Sequence, residues 1–203
     1  MGKKYTVQPD DTFSNIAHKF GVSLQDLIAA NPKIPNVDLI QPEEEINIPT
    51  GHTKTKLGPG ATPQLEHFKE EIESGSEKTK VPANLIAAVI WQESRANPNA
   101  SSNEGRDTGL MQINDNTFED KHHIIGPNKN DPATNILGGS FYLSEMHAKF
   151  GDWPLALRAY NSGPESVDPH DPNHTGGIGD PNYVRNVLRF EKIIRTGDGV
   201  LDP

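Results

Sequence analysis

The sequence predicts an α+β protein in two modules, a small βααβ unit at residues 1–50 and a mainly α-helical domain at residues 63–203. Three observations carry this. Apolar residues alternate at both ends of the first segment, at Tyr5 and Val7 and again at Ile46 and Ile48, which is the period of a strand. Residues 51–62 are polar and hold Gly58-Pro59-Gly60, which reads as a linker. Beyond them, apolar residues recur every three or four positions, with Pro near the starts of the stretches and Gly near their ends.

Within the first unit, Tyr5 to Gln8 form the first strand. Thr12 or Ser14 can cap a helix that carries Phe13, Ile16, Ala17 and Phe20, and Gly21 ends it. Ser23 caps a second helix with Leu24, Leu27 and Ile28, which stops at Asn31-Pro32 because the residue before proline disfavours helical geometry. Ile46-Asn47-Ile48 is the second strand.

In the second domain Pro63 opens a helix with Leu65, Phe68 and Ile72, and Glu70, Glu71 and Glu73 read as its solvated face. A buried helix follows from Pro82 through Trp91 to Ser94, and then an irregular stretch from Ala96 to Thr108. Ile136, Gly139, Ser140, Leu143, His147 and Phe150 mark another helix. Each of Gly138 and Gly139 weakens it by about 1 kcal/mol relative to Ala, so another segment is expected to cross closely there. Asp152 and Pro154 start a helix that runs to Asn161 and ends at Ser162-Gly163-Pro164. Asp180 and Pro181 start the last one, with Tyr183, Val187, Phe190 and Ile194.

Composition limits the function. The net charge is −9, and both modules are acidic, so neither has the basic face that nucleic acid needs. No stretch approaches the roughly 20 apolar residues of a membrane helix, and no membrane insertion is expected. The first residues lack an apolar signal core, which implies a removed signal or a phage-type release. There are no cysteines, so thiol chemistry and disulfides are excluded.

Glu93 is the most informative residue. Ile86, Val89, Ile90 and Glu93 stand at i, i+3, i+4 and i+7, which places a carboxylate on an apolar helical stripe. Burial there raises a carboxyl pKa and suits it to general acid work. Position alone leaves open a glutamate that surfaces where the helix emerges, or one that pairs with an arginine. Asp168, His170, Asp171 and His174 fit no closed zinc spacing, and no metal or cofactor is expected.

Tyr5-Thr6-Val7, Asp11-Thr12-Phe13, Ile16-Ala17, Phe20-Gly21-Val22-Ser23, Leu27, Asn31-Pro32 and Ile46-Asn47-Ile48-Pro49 together resemble a LysM module. The resemblance implies binding of N-acetylglucosamine glycans, in peptidoglycan or chitin, through Asp11, Thr12, Phe13, Asn31, Pro32 and Ile34. Asp10 and Glu43 stand where the family usually has glycine. Glutamate tolerates a positive φ poorly, so the turn at Glu43 is expected to differ.

Glu93-Ser94, then Gly109-Leu110-Met111-Gln112-Ile113-Asn114, then Ala159-Tyr160-Asn161-Ser162-Gly163, then Tyr183-Val184 resemble, in that order, the lysozyme-like lytic transglycosylases of glycoside hydrolase family 23. The resemblance implies that Glu93 is the single acid/base and that Ser94 orients the sugar or peptide. It implies that Gly109, Met111 and Gln112 line the cleft floor, that Tyr160 and Asn161 hold the sugar at the scissile bond, and that Tyr183 completes the wall. Asp107 to Asn114 also resembles the segment around the second catalytic aspartate of animal c-type lysozymes, which makes Asp107 a second catalytic candidate. The expected activity is peptidoglycan cleavage with a 1,6-anhydro product, by a monomer outside the cell or on its wall. A hydrolytic lysozyme or chitinase of the same fold is the other reading. Intact Glu93, Gln112, Tyr160 and Asn161 argue against a binding protein without activity.

Overall fold

A computed structural model describes residues 3–9, 11–20, 22, 27–28, 30–34, 36, 39–48 and 56–202. The chain forms two compact units that divide between Lys54 and Thr55.

In the first unit, β1 (Lys3–Thr6) pairs antiparallel with β2 (Glu45–Ile48), with Tyr5 opposite Ile46. Helix α1 (Phe13–Phe20) starts where expected, and of the two cap candidates Thr12 is the one used, its Oγ1 accepting from the Asn15 N–H. Val7, Phe13, Ile16, Ala17, Leu27, Ile46 and Ile48 make the core. Gly21, read as the end of the first helix, and Ser23 and Leu24, read as the cap and first apolar residue of the second, lie outside the described residues, as does Asp10. Glu43 takes φ 73° in a turn closed by the Glu44 N–H on the Gln41 carbonyl. The expected departure at this turn is therefore absent, because glutamate accepts the left-handed backbone that glycine would take more cheaply.

The second unit is helical around α4. Its elements are α2 (Pro63–Glu66), α3 (Lys69–Thr79), α4 (Ala83–Ser94), α5 (Asp115–Ile125), α6 (Pro132–Phe150), α7 (Trp153–Ser162) and α8 (Tyr183–Thr196). A small antiparallel sheet of β3 (Ser101–Ser102), β4 (Asp107–Thr108) and β5 (Ile113–Asn114) stands between α4 and α5. Every residue of α4 from Leu85 to Trp91 is buried, and this helix packs on α8 and α3. Pro82 sits one position before the helix as its cap residue, with φ −57° and ψ 133°, so the expected first-turn role moves outward by one.

Four other expectations need amendment. The helix from Pro63 breaks at His67-Phe68 into α2 and α3. The stretch read as irregular holds β3 and β4. Helix α8 begins at Tyr183, because Asp180 and Asn182 form a turn before it. Residues 57–61, read as linker, are folded onto the second unit: Leu57 is buried, and the Gly58 and Gly60 N–H groups donate to Asn84 Oδ1 and the Ile194 carbonyl. A Cβ on Gly58 or Gly60 would collide with the Ile194 or Ile193 carbonyl, so the glycines serve close backbone approach rather than flexibility. Glu73 is drawn into the same contact, its Oε1 accepting from the Leu57 N–H at 3.1 Å.

The close crossing expected at Gly138-Gly139 is present. A Cβ at Gly139 would meet Met111 Sδ at 2.6 Å, and one at Gly138 would meet Ile113 and Ile125 side chains at 2.8 Å. The Leu110–Ile113 segment is thereby pressed against α6, which fixes the floor of the cleft.

Candidate active site

Glu93 lies in the last turn of α4 and opens into a cleft of about 460 Å³. The cleft is lined by Ser102, Asp107, Gln112, Ile113, Asn114, Asn116, Thr117, Gly139, Tyr142, Tyr160, Asn161 and Gly163. Most lining groups are amides and hydroxyls, and two are aromatic. That is the chemistry of a polar ligand with flat, weakly apolar faces.

Burial pushes the Glu93 carboxyl up to about 7; the Tyr183 hydroxyl opposes the rise and the Asp107 charge adds to it. Tyr183, buried at the start of α8, donates to Glu93 Oε1 at 2.5 Å. Burial and then the Glu93 charge push both the Tyr183 and Tyr160 hydroxyls well above the usual phenol range, so both remain donors. A carboxyl near 7 is present in both forms at neutral pH and can give a proton and take one back.

Asp107 shares the cleft. Its Oδ1 accepts from Asn114 Nδ2 at 2.6 Å, across the β4–β5 pair that sets Asp107 opposite Asn114.

Gln112 lines the cleft with φ 47°, its Nε2 donating to the Ala100 and Gly109 carbonyls and its Oε1 accepting from Ser102. Tyr160 packs its ring 5.4 Å from that of Tyr142, and its hydroxyl donates to the Met111 carbonyl. Asn161 turns its Oδ1 away to protein donors.

Three other expected site residues make contacts inside the protein. Ser94 donates to the Leu110 and Ile90 carbonyls and does not line the cleft; it ties α4 to the floor segment. Gly109 is required by packing: it has φ 81°, and a Cβ would run into the Asn135 amide. Met111 is fully buried against Gly139, so only its backbone serves the site.

In the first unit the polar candidates are also occupied. Asp11 Oδ2 accepts from the Gln8 N–H and the Tyr5 hydroxyl. Thr12 caps α1, and Phe13 is core. Asn31 is buried, with Nδ2 on the Leu27 and Asn47 carbonyls and Oδ1 on the Asn47 N–H. Pro32 is exposed and Ile34 partly buried, which leaves that loop's surface as the reachable part.

Sequence reasoning missed Tyr142, which stands just off the apolar stripe of α6, and Asn135, whose Oδ1 and Nδ2 hold the Met111 N–H and the Thr108 carbonyl. It also missed Arg158, fully buried in α7. A signal existed for Arg158: it shares a helix face with Asn161 and Ser162 at i+3 and i+4.

The family model described as Transglycosylase SLT domain matches residues 70–174, and the LysM domain model matches residues 5–49. Membrane-bound lytic murein transglycosylase F 2 of Alkalilimnicola ehrlichii is 32% identical over 49% of this chain and 23% of its own length. An X polypeptide of Escherichia coli is 34% identical over 61% of this chain and 73% of its own. Among solved structures, the 70 kDa soluble lytic transglycosylase Slt70 of E. coli shares 26% identity at TM-score 0.54, over 66% of this chain and 25% of that one. An inactive glutamate-to-glutamine mutant of Slt from Pseudomonas aeruginosa shares 26% at TM-score 0.53, over 62% and 23%. The chain thus spans about a quarter of these three transglycosylases and most of the X polypeptide. With a glutamate in a lysozyme-like cleft and a match over half its length, the chain belongs to the transglycosylase SLT domain family and carries a LysM domain before it.

Proposed function

We propose that the protein is a peptidoglycan lytic transglycosylase whose LysM unit holds it on the same glycan. The observation that carries this reading is Glu93, a carboxyl near pH 7 bonded to a buried tyrosine in an amide-lined cleft. Glu93 gives its proton to the oxygen that links N-acetylmuramic acid C1 to N-acetylglucosamine, and the C1–O bond breaks. The acetamido carbonyl oxygen of the substrate shields the cation at C1. Glu93, now a carboxylate, takes the proton of the C6 hydroxyl, and O6 closes on C1 as the 1,6-anhydro ring. Substrate assistance explains how one carboxyl suffices where most glycosidases use two. Gln112, Tyr160, Asn161 and Tyr142 contact the sugars, and Tyr183 tunes the acid.

The LysM unit raises the effective concentration of enzyme at an insoluble substrate without touching the chemistry. The reading implies a monomer that works in the periplasm or cell wall. No helix among the described residues is long and apolar enough to cross a membrane.

A second reading rests on Asp107, which lines the same cleft and is held by Asn114. It makes Asp107 the partner that positions water, with a reducing end as product. Digestion of purified peptidoglycan and chitin oligomers, with products identified by mass, separates the readings. Anhydro ends support the first and reducing ends the second. Absence of cleavage rejects both.

A further inference from the structure

Arg158 is fully buried and is among the largest such side chains of the described residues. A guanidinium stays charged even there, and a buried charge is costly unless its hydrogens find acceptors. Its bonds go to neutral groups: Nε to the Pro172 carbonyl at 2.9 Å, and Nη1 to Asn161 Oδ1, Ser162 Oγ and the Asp180 carbonyl at 3.0–3.1 Å. Nη2 is buried without a hydrogen-bond partner. So costly a residue needs a reason beyond packing.

Three of the four acceptors explain it. Asn161 lines the cleft, and Pro172 and Asp180 belong to the long connection from α7 to α8. Asn161 Oδ1 receives Arg158 Nη1 and also the Asp180 N–H at 2.8 Å. These two donors, with the Ser162 hydroxyl at 3.5 Å, settle which end of the amide faces them. Gly179 has φ 84°, and any Cβ there would collide with Asn161 Oδ1. The connection therefore passes directly over the amide.

We propose that Arg158 is a positioning residue that clamps the 172–180 segment onto Asn161 and so fixes the orientation of its amide. The clamp leaves Nδ2 as the end free for the cleft. Asn161 is then a donor only, and it selects a ligand oxygen that accepts, such as an acetamido carbonyl or a ring hydroxyl oxygen, over one that must donate. This specificity rests on the glycan-cleaving reading of the cleft; the clamp itself does not.

The test uses the full chain with Arg158→Met, Arg158→Lys and Gly179→Ala. The first arm follows hydrogen exchange of the Asp180 amide, which needs no substrate. Arg158→Met should speed it about tenfold or more, because the amide loses its fixed acceptor. The second arm measures kcat and KM on soluble glycan strands. The clamp predicts a fall in kcat on the order of 10²-fold with KM within about threefold, the mark of lost orientation rather than lost binding. Arg158→Lys should not rescue, since an ammonium lacks the planar fork that reaches four acceptors.

A folded Arg158→Met with wild-type exchange and kcat overturns the clamp, and so does full rescue by lysine. Should Arg158→Met not fold, Gly179→Ala on the exposed connection carries the test, and wild-type kcat with wild-type Asp180 exchange there overturns it. A wild-type protein that cleaves no glycan rejects the functional reading, and the exchange arm then decides the clamp alone.

Discussion

Replacement of Glu93 by glutamine should stabilise the protein, and only above acidic pH. The carboxyl has an ordinary value of 4.5 and is pushed to about 7 in the folded protein. A folded value above the unfolded one means that the fold binds the proton more tightly. That stability is complete below 4.5 and is lost as pH rises through about 7. At about 1.4 kcal/mol per pH unit, the gap amounts to about 3.5 kcal/mol. Glu93→Gln does not titrate, keeps the shape of the protonated acid and escapes this loss. Urea denaturation of both proteins from pH 4 to pH 8 measures the difference. Trp91 and Trp153 both lie in the second unit, so their fluorescence reports that unit alone. The variant's advantage should grow by about 3 kcal/mol across the range, or about 6–12 °C in Tm for a domain of this size. Parallel stability curves would refute the reasoning, because they would mean that folding does not perturb the Glu93 carboxyl. The same variant should have lost glycan cleavage, so stability and activity move in opposite directions at one residue.

Other outcomes follow from the same geometry. Tyr183→Phe removes a charge-assisted hydrogen bond of about 1.5–3 kcal/mol from the Glu93 carboxylate, which should move the alkaline limb of the kcat/KM profile upward by about one to two pH units. Gly109→Ala forces φ 81° on a side chain that also meets the Asn135 amide, and should cost about 3 kcal/mol in urea denaturation. Tyr160→Phe leaves the Met111 carbonyl without its donor; the loss should be about 1–3 kcal/mol of stability, with slower glycan cleavage. In the first unit, Asn31→Ala removes the amide that grips Asn47, and exchange of the Asn47 N–H should rise well over tenfold while the second unit's unfolding is unchanged.

What the sequence made legible was local. Glu93 could be placed because seven residues of one helix carry the pattern that buries it. The crossing at Gly138-Gly139 could be expected because two helix-weakening residues need a compensating contact. The β3–β4–β5 sheet could not be read, since two-residue strands show no alternation. Helix α5 was missed because DNTFEDKHHII has few apolar residues, and only the Asn114 cap announces it. The contacts that Ser94, Gly109 and Met111 make inside the protein could not be read, because landmarks beside a cleft do not say which atoms face it. Ser94 spends its hydroxyl on the floor segment that Asn135 holds from a helix about twenty-five residues away. Long-range contacts of that kind leave no periodic trace in the chain.

The Leu57–Ala61 strap bears on where the molecule can be cut. A fragment that began at Pro63, where the helices start, would uncover the seat of Leu57 and strand the Asn84 amide and the Ile194 carbonyl without their donors. A protease that separates the two units without harm has to act before Leu57. The stretch between the LysM unit and the second unit is therefore counted to the strap and not to the first helix.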